Sequence, residues 1–172
     1  MIRNVSLRDA KAIVDIYNEY VVNSVATFET EPLRVEEMEG RIAGISASYP
    51  YLVYVDQDEV VGYCYAHTWK EKAAYKYTLE TTVYLSPRYK GKGIGRQLME
   101  RLIEECRAGG YHALIACITN EGHTFIPSGD NYFELDNRVV FRKVSHFEKV
   151  GLKFGRWLDV VDYELIIKPN ER

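Results

Sequence analysis

From Thr81 to Met99 a β-branched and aromatic run passes through Lys90-Gly91-Lys92-Gly93-Ile94-Gly95 into an amphipathic stretch, a succession that few folds accommodate. Gly91, Gly93 and Gly95 let the main chain curl without Cβ clashes, so that successive N–H groups converge at the positive end of the following helix. Lys90, Lys92 and Arg96 add full positive charges at the same spot. Such a turn has the chemistry of a pyrophosphate cradle.

The pattern excludes two common phosphate motifs. A P-loop requires Ser or Thr after Gly-Lys, and here Gly93 follows Gly91-Lys92. The dinucleotide fingerprint requires a third glycine where this chain carries Arg96. A plain strand-to-helix connector would also use glycines, and the turn alone does not separate that reading from a ligand site.

At 172 residues the chain has the length of one domain, expected to run over residues 1–172. Apolar residues at 47% and a formal net charge of −3 describe an ordinary globular protein with no overall attraction to nucleic acid or anionic membrane. The sequence has no apolar run long enough to span a bilayer, and Arg3, Arg8 and Asp9 interrupt any signal-peptide pattern, so a cytoplasmic location is the expectation. Cys64, Cys106 and Cys117 are scattered, which suits buried thiols in a reducing compartment rather than a zinc site, and no metal is expected.

Periodicity predicts a short strand at Ile2 to Val5, then a helix entered through a capping-box-like Ser6 and Asp9, with Ala10, Ile13, Val14, Tyr17, Tyr20 and Val21 on one face. A loop through Thr27 to Pro32 precedes a second helix over about Val35 to Ser46. Tyr51 to Asp56 and Val60 to Ala66 read as a hairpin, and Tyr75 to Leu85 as a third long strand. Gly93 to Arg107 forms a third helix ended by Gly109-Gly110, followed by a buried strand, Ala113 to Ile118, parallel to the strand before the helix. Asn120 to Arg138 is expected to hold a poorly defined helix, and Val139 to Val150 and Leu158 to Ile167 two closing strands. This order argues for an α+β domain around a mixed sheet.

Basic-x-x-Gly-x-Gly, read over Lys90 to Gly95, together with this order of elements resembles the GCN5-related N-acetyltransferase (GNAT) superfamily. Ile16-Tyr17-Asn18, Thr27 to Pro32, Ala74 to Tyr84 and Val150 to Val160 resemble its phosphinothricin N-acetyltransferase-like branch, four separated segments in the right order. The resemblance implies a mostly antiparallel central sheet with helices on both faces, acetyl-CoA as acetyl donor, a small amine as acceptor and a homodimer. It further implies that the pantetheine arm runs along Val83, Tyr84 and Leu85, pairing like an added strand. The pyrophosphate is then expected on Lys90, Gly91, Lys92, Gly93, Ile94, Gly95 and Arg96.

Glu80 falls on the glutamate of the family's Tyr-x-x-Thr-x-Glu-x-x-Val-Tyr pattern, which implies general-base work. The chemistry asks for such a group, because a protonated amine cannot attack a thioester. Spacing alone would equally suit an exposed glutamate on the polar face of an alternating strand. Phe28, Glu29, Lys72 and Tyr75 are the candidate acceptor-side residues, with Lys72 standing where the family commonly has arginine. Asn120, with Asn131 as a rival, is the candidate cofactor-facing asparagine, and Tyr132 and His123 are candidate general acids. The family's Leu-His-Glu-Lys-x-Gly-Phe-like helix is missing after Asn120. An acyl-CoA-binding module without catalysis is the alternative reading.

Overall fold

Alternation along the strands sorts the core onto two faces of one sheet. The computed structural model describes residues 1–119, 132–136 and 139–167. Its strands are β1 (Ile2–Asn4), β2 (Tyr51–Asp56), β3 (Glu59–Thr68), β4 (Thr78–Leu85), β5 (Ala113–Thr119), β6 (Tyr132–Asp136), β7 (Val139–Lys153) and β8 (Arg156–Ile166). They lie in the order β1-β2-β3-β4-β5-β8-β7-β6. Every adjacent pair is antiparallel except β4 and β5, which are parallel.

Among the described residues three α-helices cover the sheet: α1 (Ala10–Asn23), α2 (Val35–Ser46) and α3 (Ile94–Ala108). Leu52, Cys64, Ala66, Leu79, Leu114 and Ala116 turn to one face and pack with Leu98, Leu102, Ile103 and Cys106 of α3. Tyr51, Val53 and Tyr63 turn to the other and pack with Ile13, Val14, Tyr17 and Tyr20 of α1 and Met38 and Ile42 of α2. The period-2 pattern of the strands and the 3.6-residue pattern of the helices therefore meet in two separate cores, as an α+β mixed sheet with helices on both faces requires.

Local chemistry explains the joints. Ser6 N–H donates to Asp9 at 2.8 Å, and both arms of the Arg3 guanidinium donate to the same carboxylate at 2.9 Å, which fixes the entry to α1. Gln57 and Asp58 both adopt positive φ, at 48° and 64°, the geometry of a tight hairpin between β2 and β3. Gly110, at φ 81°, stops α3.

Three expectations are corrected. The third long strand begins at Thr78, because Ala73–Tyr75 forms a 3₁₀ turn that takes Tyr75 out of the sheet. Of the segment expected to hold a poorly defined helix, Tyr132–Asp136 is a strand bonded to β7, and residues 120–131 and 137–138 lie outside the described residues. An edge strand there satisfies backbone groups along β7 that a helix would have left unpaired. Cys117 is exposed rather than buried, for a reason that belongs to the site itself.

Candidate active site

The parallel ladder between β4 and β5 ends at Thr81–Ala116, although both strands continue. Beyond that point β4 stays bonded to β3 as far as Gly62–Leu85, and β5 stays bonded to β8 as far as Thr119–Val160. The two strands splay into a wedge. A cavity of about 280 Å³ fills it, walled by Thr82, Val83 and Tyr84 on one side and Cys117, Ile118 and Thr119 on the other. Cys117 is exposed because it lies where the sheet has opened, a position that an apolar run in a sequence does not reveal.

Gly95 and Met99 of α3 close one end of the wedge. The glycine turn thus enters the cleft side of the helix. Gly91 and Gly93 stand at φ 75° and 77°, and an added Cβ at either would meet nothing within 4 Å. Glycine is required there by backbone conformation, and the open space above both is available to a ligand. Gly93 is the N-cap of α3, so unpaired N–H groups and the positive end of the dipole face that space. The ammonium of Lys90 rests 4.9 Å from the Tyr20 ring and that of Lys92 4.5 Å from the Tyr89 ring, both flanking the turn. Arg96 donates from Nε to Glu100 at 2.9 Å.

Glu80 lines the same cavity. It stands on the face shared with Thr82 and Tyr84, opposite His67 on β3 and Ile115 on β5. Burial pushes its carboxyl above the ordinary carboxylate range; the charge of His67 pulls the other way and that of Asp162 adds to the rise. The Cys117 side chain is open to the cavity, yet desolvation by the walls around it, with the Asp162 and Glu80 carboxylates nearby, pushes its thiol up to about 12, which disfavours the thiolate a nucleophile would need.

Phe28 reaches the cavity from the loop between α1 and α2, beside Ala26 and Thr27. Glu29, its neighbour, is instead tied into the protein: Arg41 and the Tyr17 hydroxyl both donate to its carboxylate. Lys72 and Tyr75 lie on the connection from β3 to β4 and are not in the cavity wall. Tyr75 packs edge-on against Trp69, under the Lys70 ammonium. Tyr20 donates its hydroxyl proton to the Leu85 carbonyl, holding the end of β4 against α1. Asn120, Asn131 and His123 lie outside the described residues, and Tyr132 is on β6. Sequence reasoning missed Met99, Cys117, Thr119 and Val160 as cavity wall. Met99 bore a signal, since it falls on α3 one turn after Gly95.

Among the described residues no group of three or more His, Cys, Asp or Glu is arranged to hold a metal. Nor is any helix there long and apolar enough to cross a membrane.

The family model for the acetyltransferase (GNAT) domain matches residues 2–161. This chain is a GNAT acetyltransferase. As a GNAT enzyme it is an N-acetyltransferase that uses acetyl-CoA as donor. It is 36% identical over 154 residues to a phosphinothricin N-acetyltransferase of Alcaligenes faecalis, covering 89% of this chain and 75% of that relative. It is 33% identical to an L-methionine sulfoximine/L-methionine sulfone acetyltransferase of Salmonella typhimurium, over 95% of this chain and 92% of the other. A solved GNAT phosphinothricin acetyltransferase from Sinorhizobium meliloti in complex with AcCoA superposes with a TM-score of 0.87 at 33% identity, covering 99% of this chain and 93% of that one. The wedge fits such a donor on this chain's own features: a β4 edge with no ladder partner on its β5 side from Thr82 to Leu85, where Tyr20 takes the Leu85 carbonyl, and a glycine turn with open space above it.

Proposed function

We propose that this GNAT enzyme acetylates the primary amine of a small molecule, an amino acid or amino-acid analogue of the phosphinothricin or methionine sulfoximine kind, with Glu80 as general base. The observation that carries the reading is that Glu80, the splayed end of β4 and the first turn of α3 border one cavity. Acetyl-CoA, when bound, supplies an acetyl group activated as a thioester. Val83, Tyr84 and Leu85 hold its amide-bearing arm along the open strand edge, and the turn from Lys90 to Arg96 holds its diphosphate. Glu80 takes the proton from the acceptor's ammonium, freeing the nitrogen lone pair to attack the thioester carbon; the C–N bond forms, the C–S bond breaks, and the coenzyme leaves as its thiolate, which takes up the second proton shed by the nitrogen. A carboxylate with its pKa raised by burial suits that task better than an exposed one. Phe28, which lines the cavity, is assigned to the acceptor side, and Glu29, Lys72 and Tyr75 are assigned there on the resemblance, from outside the cavity wall.

The whole of residues 1–172 acts as one domain in this reading. We assign it to the cytoplasm, where acetyl-CoA is supplied and where the free thiols of Cys64, Cys106 and Cys117 persist. A homodimer is supported by the exposed apolar side chains of Leu152, Phe154 and Trp157 on the β7–β8 hairpin.

A thiol-release assay over a panel of amines tests the reading. The expected result is turnover with amino-acid analogues and a loss on the order of 10²-fold or more in Glu80→Gln. Wild-type turnover in Glu80→Gln across pH would overturn the base assignment.

A further inference from the structure

Lys153, at the end of β7, is 3% exposed, yet carries a charge into the core. An ammonium has three N–H bonds and no acceptor capacity, so burial is tolerable only where three acceptors converge on it. They do: Nζ donates to the carbonyls of Ser24 at 2.7 Å and Thr27 at 2.8 Å, with that of Tyr20 at 3.4 Å. Ser24 is the C-cap of α1, at the negative end of its dipole; the Tyr20 carbonyl already accepts from Ser24 N–H at 3.1 Å and takes the longer third contact as a second one. No basic residue occurs in the last turn of α1 itself. A lysine from a strand 126 residues further along the chain than Thr27 supplies the charge instead.

Two residues earlier on β7, Gly151 lies under Phe28. An added Cβ would stand 2.3 Å from Phe28 Cε2 and 2.5 Å from Cζ, and the three atoms nearest to it all belong to that ring. Gly151 has no positive φ, so its bareness serves contact rather than backbone conformation. The segment held by Lys153 and Gly151 is the one that lends Ala26, Thr27 and Phe28 to the cavity wall. From the other side, Tyr84 donates to the Ala26 carbonyl at 3.3 Å, and the Tyr17 hydroxyl, whose own proton goes to Glu29, accepts from Thr27 Oγ1 at 2.8 Å.

We propose that the β7–β8 hairpin sets acceptor specificity from outside the reaction centre: Lys153 is a positioning residue that fixes the α1–α2 loop through its carbonyls, and Gly151 sets the depth of the Phe28 ring over the acceptor space. The inference rests on the acetyl-transfer reading above for its kinetic consequences, but not for the clamp itself. Burial pulls the Lys153 ammonium pKa down while the charge of Glu29 opposes it, so the network that anchors Glu29 also favours the charged form of the clamp.

The test combines kinetics with amide hydrogen exchange. In Lys153→Met, residues 24–29 exchange faster while β4 does not. The acceptor KM rises roughly tenfold or more, as loss of hydrogen bonds to a charged group predicts, with the acetyl-CoA KM within about twofold. Gly151→Ala changes kcat/KM among acceptors of different size, and that change disappears when Phe28 is already alanine, the non-additivity expected of a direct contact. Unchanged exchange at 24–29 in Lys153→Met would overturn the clamp. An equal rise in both KM values would overturn its acceptor-side role. A Gly151→Ala effect of the same size with and without Phe28 would overturn the ring's part. Should the wild-type protein acetylate no amine, the functional reading fails, and the exchange arm still decides whether Lys153 holds the loop.

Discussion

Glu80 stands directly opposite His67 in the β3–β4 ladder, one residue before the last bonded pair of the parallel β4–β5 ladder. The base candidate is thus placed by two rigid strands at the apex of the wedge, with an imidazole on its flank. When charged, that imidazole favours the carboxylate and lowers the Glu80 pKa, against the larger upward push of burial.

The acid limb of the kcat/KM profile is expected to report Glu80, with activity lost as pH falls through its raised pKa. Replacing His67 by Asn removes the favourable charge, so the inflection moves to higher pH. A pH–rate series on both proteins checks this, and an inflection that stays put or moves down removes Glu80 as the titrating group.

Glu80 also bears on stability. Its folded pKa lies above the unfolded value, so the folded protein binds the proton more tightly and stability falls as pH rises from the unfolded pKa through the folded one. At neutral pH the buried charge is a liability, and Glu80→Gln is expected to raise Tm while abolishing most activity, the difference fading below about pH 4. Thermal melts of the two proteins at pH 4 and pH 7.5 measure it; a lower Tm for the glutamine form at pH 7.5 contradicts the burial argument.

Glu29 has the opposite sign. Hydrogen bonds from Arg41 lower its pKa against the upward push of burial, with Tyr17 assisting. The stability it contributes is fully present above the unfolded carboxylate pKa and is lost as pH falls through the folded value. In Glu29→Gln, acid unfolding between about pH 5 and pH 3 should therefore be less steep than in wild type. Urea titrations at stepped pH give the slope, and an unchanged slope would show that Glu29 is not coupled to folding.

Gly93→Ala tests the turn. The left-handed conformation at φ 77° costs an L-residue about 1–2 kcal/mol, with no steric clash to add. A roughly tenfold rise in the acetyl-CoA KM with a smaller change for the acceptor is the expected outcome of disturbing the N-cap of α3. Calorimetry with CoA checks it directly: undiminished CoA binding would mean that the turn is only a connector.

Much of this was legible in residues. Periodicity located α1, α2 and α3 and the β2–β3 hairpin, because amphipathic faces and turn residues are local properties. Lys90 to Arg96 announced a glycine turn leading into α3, since left-handed conformation at Gly91 and Gly93 is carried by the turn itself. An aromatic run does not show where its ladder begins, so Tyr75 reads as strand when it lies in a turn, and the strand Tyr132–Asp136 is illegible because a short edge strand depends on its partner. The exposure of Cys117 was hidden, because the splay of β4 from β5 is a relation between strands.

By itself, then, the chain's sequence determined the order of elements, the glycine turn and the family pattern that singles out Glu80. Tertiary structure alone decided that Glu80, Phe28 and Gly95 meet around one cavity, that Glu29 is anchored to Arg41 and Tyr17, and that Lys153 reaches back to Ser24 and Thr27. The physical reason is range. Helix faces, turns and caps are governed by neighbours a few residues apart, whereas a buried ammonium finds its carbonyls only after the sheet has brought the two ends of the chain together.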